Sequence, residues 1–109
     1  MASYIESRYS VSMTEQVFHI LIALADRDLH GYAMMQDVAA RTNGKMRLSP
    51  GTLYGSIKRL LEQGLIVELE ADDRRRYYRL TPLGRKEARA EADRLVELVD
   101  QARQYGFAR

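Results

Sequence analysis

The chain of 109 residues has no cysteine and no tryptophan. The lack of cysteine excludes disulfides and thiolate metal sites, and nothing points to an oxidising compartment. The chain has two histidines, His19 and His30, which stand 11 residues apart with a predicted helix boundary between them. That spacing matches no metal-binding motif. The sequence therefore predicts a protein without a bound metal or cofactor.

Long apolar runs are also missing. The longest extends from Ile20 to Ala25, whereas a membrane-spanning helix needs about 20 apolar residues. The first residues carry Glu6 and Arg8 and no apolar stretch, so no signal peptide is visible. These features predict a cytoplasmic protein without a membrane partner. The length fits one domain with one appended element.

Groups that carry out catalysis are scarce. There is no cysteine nucleophile, and no glycine-rich phosphate loop precedes a helix. The acidic residues are spread over predicted helix surfaces and form no obvious carboxylate pair. His30 stands at a helix entrance, where capping or packing explains it. The sequence predicts that the chain is not an enzyme.

The net charge of +2 hides an uneven distribution along the chain. Residues 1–40 hold two basic and five acidic side chains, a net charge of −3. Residues 41–79 hold nine basic and five acidic side chains, a net charge of +4. The middle third would therefore attract a polyanion such as a nucleic acid. The alternative is an ordinary solvated face that is rich in arginine.

Capping signals and apolar periodicity predict two helices in the first 44 residues. The first begins with a capping box at Ser12 to Glu15 and is apolar over most of its circumference, so we expect it to be central. The second begins at Gly31 and ends at Asn43 and Gly44, a pair that suits a left-handed cap. One buried stripe is predicted along the second helix: Tyr32, Met35, Val38 and Ala39.

Ser49 and Pro50 predict the start of a third helix, with serine as the N-cap and proline at the first helical position. Its apolar positions recur at helical spacing and predict an inner stripe: Leu53, Ile57, Leu60 and Leu61. The opposite side is small, hydroxylic and basic, which suits a helix that lies in the major groove of DNA. That outer face comprises Gly51, Thr52, Tyr54, Gly55, Lys58 and Arg59.

Two strands are predicted at Leu65 to Glu70 and Arg75 to Leu80, and the short link of residues 71–74 joins them as a hairpin. A hairpin directly after a third helix is the wing of a winged helix. The wing carries three consecutive arginines, placed to contact phosphate beside the groove: Arg74, Arg75 and Arg76. The alternative is that these arginines pair with acidic neighbours: Glu68, Glu70, Asp72 and Asp73.

Thr81 and Pro82 repeat the N-cap and proline pattern, and the final helix is predicted to run to about Tyr105. At 1.5 Å per residue it would be about 36 Å long, more than a three-helix core covers. Its apolar positions step by four and three, like a coiled-coil seam, and favour pairing with a second copy. The alternative is that the helix folds back on its own core. The predicted dimer interface comprises Ala88, Ala92, Leu95, Leu98, Val99 and Ala102.

Four segments carry a family resemblance, and they match in order and spacing over about residues 14 to 105. They are LHGY at 29–32, SPGTLY at 49–54, Leu60 with GLI at 64–66, and RRYYRLT at 75–81 with Gly84. In these segments the chain resembles the PadR family of repressors. Gly55 departs from the proline that often follows the tyrosine in the family, which puts the pitch of the third helix in doubt.

The resemblance implies a mainly α protein with a small β-hairpin. Residues 1–11 would form an arm, residues 12–81 a winged helix-turn-helix domain, and residues 82–109 a C-terminal dimerisation helix. The groove would be contacted by Ser49, Gly51, Thr52, Tyr54, Lys58 and Arg59. The DNA backbone would be touched by Tyr32 and Gln36 and flanked by Arg74, Arg75 and Arg76.

The resemblance also implies a small-molecule effector, because many relatives respond to phenolic acids or planar hydrophobic drugs held between the first and last helices of the dimer. Some of them stack the ligand on a tryptophan, and that position corresponds to Leu95 here. The hypothetical effector pocket comprises Gln16, His19, Ile22, Leu95, Leu98 and Val99. The alternative for Gln16 and His19 is a solvated helix edge.

The sequence favours a homodimeric, sequence-specific DNA-binding regulator, in keeping with a repressor that acts on an inverted-repeat operator. One alternative is a winged-helix module that binds protein partners and no DNA, but such a module needs neither a basic helix face nor an arginine wing. An RNA-binding module is a second alternative. It would display aromatic side chains for stacking on unpaired bases, and Tyr54 alone stands on the predicted reading face.

Overall fold

The structure, a computed structural model, describes residues 13–70 and 75–109. In these ranges the chain is mainly helical with a small antiparallel sheet, which confirms the predicted fold class. The elements are α1 (Glu15–Ala23), β1 (Leu29–His30), α2 (Gly31–Arg41), α3 (Pro50–Glu62), β2 (Ile66–Leu69), β3 (Tyr77–Leu80) and α4 (Pro82–Arg103). The predicted arm and the wing residue Arg74 lie outside the described residues.

Helix α1 is the centre of the fold, as its apolar circumference predicts. Ile20, Leu21 and Ala23 are completely buried, and Val17 is nearly so. Ser12, the first residue of the predicted capping box, lies outside the described residues. The N-cap is Thr14, whose Oγ1 accepts a hydrogen bond from the backbone N–H of Val17 at 3.1 Å. A threonine cap satisfies a free first-turn amide as well as serine does, so the helix begins two residues later.

The buried stripe of α2 shares Val38 with the predicted one and differs from it in its other residues. Gly31, Met34 and Val38 are buried, whereas Tyr32 is 56% exposed. The prediction failed at Tyr32 because a tyrosine was counted as a core residue, although its ring and hydroxyl suit a half-exposed site. The end of the helix is confirmed, since Asn43 (φ 53°) and Gly44 (φ 78°) both adopt the left-handed conformation.

Helix α3 matches its prediction closely. Ser49 caps it, with Oγ accepting from the backbone N–H of Thr52 at 3.2 Å, and Pro50 is the first helical residue. Three residues of the predicted inner stripe, Leu53, Ile57 and Leu60, are buried together with Ser56, and the fourth, Leu61, is half-buried. Turning the stripe inward leaves the glycine-rich and basic side of the same helix facing outward.

The sheet has one more strand than the predicted hairpin. Strands β2 and β3 pair antiparallel with Ile66 opposite Leu80, and β1 pairs with the other edge of β3, placing His30 opposite Tyr77. The strand order is β1-β3-β2. A two-residue strand is too short to show an alternating pattern, so β1 could not be predicted from the sequence. This strand ties the start of α2 to the wing.

The start of α4 is fixed to the corner between α3 and β2. The Oγ1 atom of Thr81 accepts from the backbone N–H of Gly84 at 3.0 Å and donates to the carbonyl of Gly64 at 2.7 Å. The first half of α4 then packs against α1, with Ala88 at the edge of the core. Further along, apolar side chains face solvent: Val96 (59% exposed), Leu98 (52%) and Val99 (40%).

Helix α4, with 22 residues, is the longest of the described helices. No helix within residues 13–70 and 75–109 combines the length and apolarity that crossing a bilayer requires.

We predict that Gly84→Ala destabilises the fold. A Cβ on Gly84 would lie 2.0 Å from the carbonyl oxygen of Leu65, a backbone atom that cannot rotate away. Overpacking of this kind costs about 1–3 kcal/mol. Urea unfolding followed by circular dichroism measures the change. Gly55→Ala is the matched control, because a Cβ there meets no described atom within 4 Å and should stabilise α3 by up to about 1 kcal/mol. Equal stability of the two variants would contradict the prediction.

Candidate nucleic-acid interface

The outer face of α3 is exposed and carries positive charge. Every predicted groove residue on it is exposed, and no acidic residue occurs between Ser49 and Leu61. Lys58 and Arg59 have no carboxylate within ion-pair distance in the part of the chain that the structure describes. The face therefore presents its cationic groups to solvent.

Two glycines keep the backbone of this face accessible. A Cβ at Gly51 or Gly55 would meet nothing within 4 Å among the described residues, so neither position is needed for close packing inside the protein. They are four residues apart and lie on the same side of α3. At the N-terminal end of the same face, the hydroxyl of Ser49 donates to the hydroxyl of Thr52 at 3.0 Å. A large ligand can approach the helix closely here.

Tyr54 links α3 to the start of α2. A Cβ at Gly31 would stand 2.4 Å from the phenol oxygen of Tyr54, so the ring lies directly over the glycine. Tyr54 nevertheless stays 51% exposed. This contact gives the glycine of the LHGY segment and the tyrosine of the SPGTLY segment a shared structural role, because the two helices meet at this pair.

A surface hollow of about 330 Å³ lies where α2, α3 and β3 meet. Its described lining contains aromatic, imidazole and guanidinium groups and no acidic side chain: His30, Gly31, Tyr32, Tyr54, Arg75, Arg76 and Tyr78. The structure thus brings Tyr32, Tyr54, Arg75 and Arg76 together, as predicted contacts of one ligand should be. Gln36 is exposed one turn further along α2. Burial raises the pKa of the Tyr78 hydroxyl above its ordinary value.

The basic residues of the middle third fall into two groups. Arg79 forms a bidentate pair with Asp28, with Nε to Oδ1 at 3.0 Å and Nη2 to Oδ2 at 2.8 Å, and Arg41 binds Asp37 at 2.6 Å. These two arginines are compensated within the protein. Arg76 lies 3.8 Å from Glu68 with both side chains solvated, an exposed pair of small energetic value. Arg75 contacts no described carboxylate.

We predict a pH-dependent contribution from the pair of Asp28 and Arg79. The hydrogen bonds from Arg79 hold the pKa of Asp28 below its ordinary value. The contribution is present above the unfolded-state pKa of about 3.9 and is lost as the pH falls through the lower folded value. Asp28→Asn should therefore be less stable than the wild type at neutral pH, with the difference vanishing in strong acid. Urea unfolding across this pH range measures it, and Asp93→Asn, an exposed carboxylate, is the control.

Some of the predicted dimer residues contact the protein's own core, and others are exposed to solvent. Ala88 and Ala92 line an apolar cleft of about 300 Å³ together with Phe18 and Ile22 of α1. Leu95 and Ala102 are half-buried, whereas Leu98 and Val99 are exposed. The first half of the seam thus touches its own core, as the alternative interpretation held, and the second half has apolar groups that face solvent.

The six residues of the hypothetical effector pocket are not gathered in one place within a single chain. Gln16 is exposed. His19 lies 4.0 Å from Glu15 and lines a polar hollow with Arg41 and Lys45. Ile22 belongs to the apolar cleft between α1 and α4.

Sequence reasoning treated His30 only as a capping or packing residue. The capping role is confirmed, because Nδ1 accepts from the backbone N–H of Ala33 at 3.2 Å. The structure adds that Nε2 lies 3.2 Å from Nη1 of Arg75. No signal in the sequence links these residues, since the contact depends on β1 pairing with β3.

Comparison with known proteins agrees with this architecture. The Transcriptional regulator PadR-like family matches residues 20–90. The chain is 40% identical over 84 residues to the Transcriptional regulator Rv3488 of Mycobacterium tuberculosis. This match covers 74% of this chain and 76% of that protein. It is 42% identical over 79 residues to an uncharacterized 37.1 kDa protein in transposon TN4556 of Streptomyces fradiae. That match covers 72% of this chain but 22% of the longer protein.

Solved structures share the fold. A transcriptional regulator from Clostridium thermocellum superposes with a TM-score of 0.74 at 27% identity, over 82% of this chain and 89% of that one. A winged-helix DNA-binding protein from STIV gives a TM-score of 0.72 at 24% identity, over 82% and 96% of the two chains. The matching family, the relative Rv3488 and the structure from Clostridium thermocellum are transcriptional regulators and not enzymes. With its winged-helix fold and a match over most of its length, the chain belongs to the PadR-like family of transcriptional regulators.

Proposed function

We propose that this protein is a homodimeric repressor that binds an inverted-repeat operator in double-stranded DNA. The observation that carries the proposal is the outer face of α3, which is exposed, free of acidic residues from Ser49 to Leu61, and continuous with the arginines of the hollow. The DNA backbone is a dense polyanion that such a face attracts.

In the proposed complex α3 lies in the major groove. Gly51 and Gly55 let the backbone of the helix approach the bases, and the hydroxyls of Ser49 and Thr52 provide short donors and acceptors. Lys58 and Arg59 contact phosphates. On the flank, Tyr32 and Gln36 touch the backbone of the DNA, and the arginines of the wing, Arg74, Arg75 and Arg76, hold the adjoining strand. Contacts with the DNA backbone determine the position and orientation of the protein and do not determine its sequence preference.

The proposed dimer forms through α4. Leu98 and Val99 expose apolar surface on the half of the helix that leaves the core, and Leu95 stands at the boundary between the two halves. Pairing of two α4 helices buries this surface, and a two-fold axis makes the contact self-complementary. Two recognition helices then reach successive major grooves, about 34 Å apart, which is why the operator is an inverted repeat.

The proposed effector is a small hydrophobic or phenolic compound that binds where the partner's α4 closes the apolar cleft between α1 and α4. Phe18 and Ile22 supply one wall of that cleft. Binding there changes the distance between the two α3 recognition helices of the dimer and releases the DNA. Titration of phenolic acids and planar apolar compounds tests this part by operator affinity and melting temperature. If neither quantity changes across the series, the regulation is not by this route.

A mobility-shift assay on the DNA upstream of the protein's own gene, in a series of salt concentrations, tests the proposed function. We expect a complex that contains two chains per site and an affinity that falls steeply with salt. A duplex of equal length and base composition with one half-site scrambled is the control, and it should bind more weakly. Equal binding to both duplexes would contradict an operator-specific regulator.

A further inference from the structure

Both ring nitrogens of His30 face nitrogen donors, whereas a neutral imidazole has only one nitrogen that can accept a hydrogen bond. Nδ1 accepts from the backbone N–H of Ala33 at 3.2 Å, the bond that caps α2. Nε2 faces Nη1 of Arg75 at 3.2 Å, and a guanidinium nitrogen is always a donor. With Nδ1 occupied as an acceptor, the proton of the neutral ring is on Nε2.

The contact between His30 and Arg75 is therefore a meeting of two donors. The Nε2–H group and the guanidinium point to the same place without a described acceptor between them. The ring is held in that orientation from two sides, by the cap at Ala33 and by an edge-to-face contact with Tyr77 at 5.4 Å between ring centroids. The fixed ring and the exposed guanidinium of Arg75 converge on one exposed point, where an anionic oxygen is the strongest acceptor for both.

The surroundings suit an anion. The converging donors stand at the wall of the hollow of about 330 Å³, whose described lining includes a second guanidinium, that of Arg76, and no carboxylate. Tyr32 and Tyr54 border the hollow and are both more than half exposed. The hollow adjoins α3 through Tyr54, so an anion seated there lies beside the proposed recognition helix.

We propose that His30 and Arg75 form one phosphate-binding site for the DNA backbone, in which Nε2–H and the guanidinium donate to the same phosphate. The site rests on the proposed DNA binding and adds to it a residue, His30, that was not among the predicted DNA contacts. His30 also caps α2 and belongs to β1. A phosphate bound here therefore fixes the position of the wing relative to α2 and, through Tyr54, relative to α3.

Operator affinity of three variants tests the site. His30→Asn keeps a good N-cap through its side-chain oxygen but is too short to reach the phosphate, and we expect Kd to rise about 10-fold with little change in the salt dependence. Arg75→Gln should also weaken binding and lower the log–log salt slope by about 0.9 for each lost contact. In the double variant the fold-increase in Kd should be smaller than the product of the two single increases, because both side chains bind one phosphate.

The matched control is Lys86→Gln, an exposed lysine on α4 away from the hollow, which should leave Kd and slope unchanged. The melting temperatures of all variants are measured in parallel, and an unchanged value for His30→Asn shows that the cap is intact. If the wild type binds the operator and both site variants bind it equally well, the phosphate site is wrong and the proposed function stands.

A second measurement needs no DNA. Nitrogen-15 NMR of the imidazole should show the neutral His30 ring protonated at Nε2, and inorganic phosphate should shift the signals of His30 and of the Ala33 amide in a saturable way. Chloride at equal ionic strength is the control, and Arg75→Gln should abolish the shift. A proton on Nδ1, or no response to phosphate, overturns the site even if the protein binds no DNA and the proposed function itself fails.

Discussion

Replacing Lys58 and Arg59 by alanine is expected to weaken operator binding and to flatten its salt dependence. Both residues are exposed on α3 and have no ion-pair partner among the described residues. If each contacts one phosphate, the dimer loses four contacts, and the slope of log K against log salt falls by about 3.6. Fluorescence anisotropy with labelled operator DNA, from low to physiological salt, measures both affinity and slope.

Lys86→Ala with Arg109→Ala makes the same change in net charge at exposed positions on and after α4, and this pair should change the slope little. The comparison separates local phosphate contacts from general electrostatic attraction, because only the former depend on where the charge stands. Charge reversal at Lys58 and Arg59 with regulation intact would contradict DNA binding by α3 and favour the protein-binding module.

Leu95→Glu is expected to turn the dimer into monomers. In the proposed dimer the two copies of this position face each other across the seam, so the variant would bring two carboxylates into an apolar contact. An uncompensated buried charge costs about 3–5 kcal/mol, which raises the dimer dissociation constant more than about 100-fold. Sedimentation equilibrium measures the association. Operator binding should be lost together with dimerisation, because a monomer makes only half of the contacts with the operator.

Val96→Glu is the matched control for this experiment. Val96 is the next residue on α4, is 59% exposed and lies outside the predicted seam, so the variant adds the same charge on another side of the helix. It should leave both the dimer and the melting temperature unchanged. A Leu95→Glu protein that stays dimeric, or a Val96→Glu protein that dissociates, would place the interface on a different face of α4.

The described helix boundaries were predictable wherever the stop or start signal is local. Ser49 with Pro50 and Thr81 with Pro82 begin α3 and α4 as predicted, because a hydroxyl cap acts on an amide three residues away. The left-handed end of α2 is equally local. Where two hydroxyls compete, as at Ser12 and Thr14, the pattern alone could not choose between them.

Sequence alone determined the helices, the two longer strands, and the inward and outward faces of α3, because these depend on neighbours within a few residues. Only the tertiary structure decided which charges are compensated and which are offered to a ligand. Asp28 meets Arg79 from 51 residues away, and His30 meets Arg75 from 45 residues away. Both contacts exist because β1 pairs with β3, and a pairing between distant segments leaves no periodic trace in either of them.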